Sequence, residues 1–262
     1  MKPKYLSAIK FITGALFISS ISQAKIVHEK VEYKIDSKGY EGVLVYDDAK
    51  TERRPGVLIA HNWMGVTDET ERKAEMLAEL GYIAFAADLY GKGIRPKDAS
   101  EAGKLAGGLK GDRKTLRERM KAGLKVLSES KLVNVKKLAA IGYCFGGTSA
   151  IELARSGTPL QGVVSFHGGL DSPQPADGKN IKARVLALHG ADDPYEKPED
   201  LIAFENEMRN SKVDWQLIKY GGAVHSFTEK AAGNDNSKGA AYNERADRRS
   251  VIDMKNFFSE IF

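Results

Sequence analysis

Beyond the first two dozen residues, short apolar runs alternate along the chain with longer stretches of helical spacing. "VEYKI" and "YEGVLVYD" read as an opening pair of strands, with Ser37-Lys38-Gly39 as the turn between them. "PGVLIAH" is continuously apolar, as a strand covered on both faces must be. "DETERKAEMLAELGY" then repeats its apolar positions at helical spacing, opens on acids and stops at Gly81. The alternation continues with the strand "YIAFAADLYG", a polar, glycine-containing region from Lys92 to Asp112, and the helix "RKTLRERMKAGLKVLSES". "KLAAIGYC", "GVVSFHGG", "ARVLALHG" and "WQLIKYGG" are further strands. "TSAIELARSG", "PEDLIAFENEMRN" and a last helix from about Tyr242 to Phe258 complete the series.

Strands that alternate with helices of this length imply right-handed βαβ crossovers, hence an α/β fold with a mostly parallel, doubly wound sheet flanked by helices. The chain has 262 residues and shows no repeat or linker that would divide it, so one domain over residues 25–262 is expected. The first 24 residues differ in kind. "MKPKYLSAIKFITGALFISSISQA" has a lysine-bearing start, an apolar stretch from Phe11 to Ile21, and small residues at Ser22 and Ala24. That is the pattern of a secretory signal peptide cleaved after Ala24, and the apolar run is well short of the roughly 20 residues of a membrane span. The mature protein is therefore expected in the periplasm or outside the cell, without stable membrane association. Of the net charge of +5, Lys2, Lys4 and Lys10 contribute three in that leader, leaving +2. Such a balance argues against a nucleic-acid partner.

The chain has a single cysteine, so Cys144 cannot form an intramolecular disulfide. It stands where an apolar strand meets a helix, as Gly142-Tyr143-Cys144-Phe145-Gly146. This glycine-x-nucleophile-x-glycine spacing is that of a nucleophile elbow, in which flanking glycines let strand and helix pack closely around a strained turn. A thiol there gains from the helix N-terminus, which favours its anion. The acid and the base of such a site follow later strands in that order. Asp192 and Asp193 end the strand of "VLALHGADDPY", and His225 ends that of "IKYGGAVHSF". Among five histidines only His225 lies beyond those aspartates. The Phe145 N–H is a candidate oxyanion donor, and the loop "IAHNWMG" is the candidate source of a second. His61, in that loop, precedes the nucleophile and reads as structural. No histidine pair at ligand spacing and no phosphate-binding glycine loop points to a metal or cofactor.

The elbow "GYCFGG", the loop "HNWMG", and the segments "AADLYG", "HGADDP" and "VHSF" together resemble the dienelactone hydrolase family, cysteine members of the α/β-hydrolase superfamily. The resemblance implies an α/β-hydrolase fold and a Cys144, Asp193, His225 triad, with Asp193 preferred over Asp192. It also implies an oxyanion hole from the Phe145 and Trp63 N–H groups, and a small ester, lactone or thioester as substrate. Two positions depart from the family pattern. Asn62 stands where members that cleave dienelactone carry a glutamate that helps to activate the thiol. Glu229 stands where such members carry an arginine that holds the substrate carboxylate, leaving Arg95 or Arg113 as possible substitutes. Two other classes compete with a hydrolase. One is a degenerate member that binds a small ligand without turnover, and the other is a redox-sensing protein that uses Cys144.

Overall fold

The computed structural model describes residues 25–262. The expected leader, residues 1–24, lies outside them. An edge hairpin of β1 (Ile26–Ile35) and β2 (Lys38–Asp47) opens the sheet. Its turn is the pair Asp36-Ser37, one residue earlier than the spacing predicts, with Asp36 in the left-handed region at φ 52°. Aspartate tolerates that conformation because its short side chain can bond locally, so the hairpin closes in two residues.

Five parallel crossovers follow. The strands β3 (Arg54–Ala60), β4 (Ile83–Ala87), β5 (Val133–Tyr143), β6 (Gly162–Phe166), β7 (Arg184–Gly190) and β8 (Trp215–Tyr220) form with the hairpin one eight-stranded sheet in the order β1-β2-β4-β3-β5-β6-β7-β8. Only the β1–β2 and β2–β4 pairings are antiparallel. This is the α/β-hydrolase arrangement. Alternation along β3 feeds two cores. Leu58 and Ala60 join the core under α3 (Arg113–Glu129), α4 (Phe145–Arg155) and α5 (Pro198–Asn210). Val57 and Ile59 join the core under α1 (Asp68–Glu79) and α6 (Glu244–Ile261).

One helix was not apparent in the apolar pattern. The polar stretch after β4 contains α2 (Ala99–Gly111), with four glycines in its last nine residues. Glycine weakens a helix by about 1 kcal/mol each relative to alanine. The helix forms because Asp98 caps it through the Glu101 N–H, and because Ala102, Ala106 and Leu109 bury one face. A stripe of small residues at helical spacing was the available signal.

The far end of α4 is fixed by a buried charge cluster. Arg155, fully buried, donates to both Glu207 carboxylate oxygens at 2.9 and 2.6 Å and to Glu152 at 2.9 Å. It also donates to the Leu170 and Asp171 carbonyls, both at 2.9 Å, anchoring the segment that follows β6. Arg155→Met leaves Glu207 buried with its charge uncompensated, and is expected to lower stability by about 3–5 kcal/mol. Urea unfolding measures this, and a loss below about 1 kcal/mol would show that the cluster does not brace α4.

Candidate active site

The strand–helix junction after β5 has no room for side chains. A Cβ on Gly142 would lie 1.9 Å from the Gly146 carbonyl oxygen, and one on Gly146 would lie 2.1 Å from that of Ala60. Both glycines are thus required by backbone-to-backbone packing of α4 against β5 and β3. The residue between them bears the strain: Cys144 has φ 56° and ψ −118°, a conformation that non-glycine residues hold only when their surroundings impose it. The Cys144 N–H is directed at two acceptors, the Phe166 carbonyl at 3.0 Å and His167 Nδ1 at 3.1 Å. Since Nδ1 accepts, His167 carries its proton on Nε2, which donates to Thr228 Oγ1 at 2.9 Å. Burial holds His167 well below the usual histidine pKa, so it remains neutral. Through it the elbow is tied to the loop that carries His225.

The three residues that the chain order predicts converge. His225 Nε2 lies 3.0 Å from Cys144 Sγ, and His225 Nδ1 lies 2.8 Å from Asp193 Oδ2. The second Asp193 oxygen accepts the Tyr195 N–H at 2.9 Å, which fixes the carboxylate. Asp192 turns away and accepts the Gly222 N–H at 3.0 Å. Burial alone would lower the pKa of His225. The charge on Cys144 and the hydrogen bond to Asp193 outweigh it and push His225 up to about 10. The arrangement thus favours the imidazolium form of His225. The Tyr195 ring meets the His225 ring edge-on at 5.4 Å.

Beside the elbow runs the loop after β3. His61 is 1% exposed and structural: its Nε2 accepts the Leu89 N–H at 3.1 Å and its Nδ1 lies 2.5 Å from the Asn62 carbonyl. Burial lowers its pKa to about 4. The Trp63 carbonyl accepts the Tyr90 hydroxyl at 2.9 Å. Among the described residues neither the Trp63 N–H nor the Phe145 N–H has a hydrogen-bond partner.

The dienelactone hydrolase family model matches residues 41–262. The chain belongs to the dienelactone hydrolase family. It is 40% identical, with a TM-score of 0.87, to the crystal structure of a dienelactone hydrolase-like promiscuous phosphotriesterase from metagenomic libraries, over 90% of this chain and 99% of that one. It is 29% identical over 191 residues to a probable 2-oxo-3-(5-oxofuran-2-ylidene)propanoate lactonase of a Bradyrhizobium species, covering 68% of this chain and 75% of that protein. A solved structure from Klebsiella pneumoniae, at 18% identity and TM-score 0.76, shares the fold over 90% of this chain and 99% of that one.

The two positions that depart from the family pattern meet each other. Asn62 Nδ2 donates to Glu229 Oε2 at 2.8 Å, while Asn62 Oδ1 accepts the Met64 N–H at 2.8 Å. Asn62 therefore braces its own loop against the histidine loop. Sequence reasoning missed this pairing, and it missed His167 and Tyr195, because each acts through a contact between distant strand ends. For His167 a signal existed: a histidine at the end of a buried strand beside the one that leads to Cys144.

Near Asp193, Glu196 accepts the Leu170 N–H at 2.8 Å. Burial pushes its carboxyl up to about 7 from an ordinary 4.5, with Asp171 and Asp200 adding to the rise. A carboxyl raised on folding lowers stability as pH climbs from its unfolded value to its folded one, here from 4.5 to about 7. Glu196→Gln keeps an oxygen for the Leu170 N–H and removes that penalty. It is expected to stabilise the protein at about pH 8 by about 1 kcal/mol, reduced for partial exposure, and to change nothing at about pH 4. Thermal unfolding at both pH values checks the sign.

Proposed function

We propose that the protein is a thiol-dependent hydrolase that cleaves a small ester, lactone or thioester through an acyl-enzyme. The reading is carried by the continuous Cys144–His225–Asp193 chain of contacts at 3.0 and 2.8 Å. In this mechanism the Cys144 thiolate attacks the carbonyl carbon, and the oxyanion that forms is met by the N–H groups of Phe145 and Trp63. As the intermediate collapses, the C–O bond breaks and His225 gives its proton to the departing oxygen. His225 then takes a proton from water as that water attacks the thioester, and the thiolate leaves. Asp193 keeps the imidazole in the tautomer that presents Nε2 to sulfur. With Asn62 committed to its own loop, activation of the thiol falls to His225 and the N-terminus of α4.

A second reading, cleavage of an uncharged aryl phosphotriester, is favoured by the 40% identity to the metagenomic phosphotriesterase. In it the same thiolate attacks phosphorus, the P–O bond to the leaving group breaks, and His225 gives its proton to the departing oxygen. The leader remains part of the proposal: a protein exported to the periplasm or beyond, beginning at Lys25 after cleavage. Intact-mass measurement of the exported protein tests it, and retention of residues 1–24 contradicts it.

Turnover of 4-nitrophenyl esters is expected in the wild type and lost in Cys144→Ala. Asp193→Asn should lower kcat by at least about 100-fold in a folded protein. A ligand-binding protein without turnover would show no Cys144-dependent release of nitrophenol. Iodoacetamide should alkylate Cys144 at about pH 6 faster than a free thiol, and His225→Ala should remove that advantage, because the imidazolium persists up to about 10 in the pair. An unchanged rate in His225→Ala would rule out the thiolate–imidazolium pair.

A further inference from the structure

The cations that flank the triad are already committed. Arg95 lies against Gly65 of the loop after β3, but its Nε donates to the Val66 carbonyl at 2.7 Å and its Nη1 to that of Ile94 at 2.8 Å. Arg113 donates to Asp171 at 2.6 Å, and Lys110 pairs with the same carboxylate at 3.6 Å. Lys73 donates to the Thr228 carbonyl at 3.1 Å and lies over the Tyr143 ring, beneath the site.

Two acids stand on the segments that carry His225 and Asp193. Glu229 stands four residues past His225, hydrogen-bonded to the residue that precedes Trp63. It therefore joins the two loops between which the scissile group must lie. Burial pushes its carboxyl above the ordinary range, opposed by the Asn62 amide and the Lys73 ammonium, both of which favour the ionised form. Glu196 lies on the other flank, facing Gly169. The apolar surface nearby is aromatic: Trp63 is 37% exposed and Tyr195, edge-on to His225, is 63% exposed. Aromatic faces of this kind give contact area to flat, uncharged groups.

We infer that the site selects uncharged esters and lactones bearing an aromatic or apolar group that lies against Trp63 or Tyr195, and turns away substrates with a carboxylate near the scissile bond. The inference rests on the hydrolase reading above and adds its substrate class. A carboxylate brought between these loops meets the Glu229 charge, while Arg95, Arg113, Lys110 and Lys73 each hold another partner.

Methyl 4-acetoxybenzoate and 4-acetoxybenzoate present the same acetyl group and differ by one carboxylate on the ring. With the full mature chain at about pH 8, and each rate normalised to hydroxide hydrolysis, the uncharged ester should be favoured in kcat/KM by about tenfold or more. Glu229→Gln, whose amide oxygen still accepts from Asn62, should narrow that ratio severalfold. If that variant does not fold, the wild-type ratio itself should narrow on going from low to high salt, as a repulsion between charges must. Equal or preferred turnover of the carboxylate ester, or a ratio indifferent to both the variant and salt, overturns the inference and leaves the hydrolase reading standing. Failure of both esters, with wild type no better than Cys144→Ala, instead removes the hydrolase reading and the inference with it.

Discussion

The structure depends on the close approach of the first turn of α4 to the ends of β5 and β3. Gly142, Gly146 and the Ala60 carbonyl touch without intervening side chains. That contact forces the residue between the glycines into the left-handed region, at φ 56°, and lifts its side chain clear of the sheet. The strain costs on the order of 1–3 kcal/mol. It is offset by the burial of α4, whose residues are all buried, and by the Arg155 cluster at its far end. A helix held so firmly at both ends presents its N-terminal dipole and the thiol in one fixed orientation.

Neutral histidines brace the elbow from below. His61 binds the loop after β3 to the end of β4, and His167 binds the elbow to the loop carrying His225. Both are buried enough to stay uncharged, so each serves as a hydrogen-bonding spacer with a fixed tautomer. His225 has a similar ring in a different setting. Beside a thiol and a carboxylate its pKa moves upward, against the effect of burial. The three residues show one side chain driven to opposite protonation states by its neighbours.

The electrostatic character of the site follows from where charges are spent. Arg113, Arg117 and Arg155 are consumed by Glu152, Glu207, Asp171 and Asp177 in a cluster that holds α3, α4 and the segment after β6 together. Arg95 is consumed by backbone carbonyls. In this protein the guanidinium groups near the strand ends build scaffold, while a carboxyl and an amide, Glu229 and Asn62, link the loop after β3 to the loop that carries His225.

The chain by itself determined the fold class and the order of chemistry along it. Apolar runs such as "PGVLIAH" could only be strands covered on both faces, and two glycines two positions either side of Cys144 could only serve a crowded turn. His225 was singled out because chain order left one histidine beyond the aspartates. These are local or ordinal facts, readable without coordinates. Other features were decided by tertiary structure. α2 is poor in intrinsic helix propensity and forms because a capping aspartate and a buried face of small residues support it. That Asp193 faces His225 while Asp192 faces Gly222 depends on how β7 and β8 end side by side. The Asn62–Glu229 link joins residues 167 positions apart, and no periodicity records such a contact. Sequence carries what repeats or follows in order. Which side chains meet across strand ends is set by the register of the sheet, and it was there that the site acquired its charge.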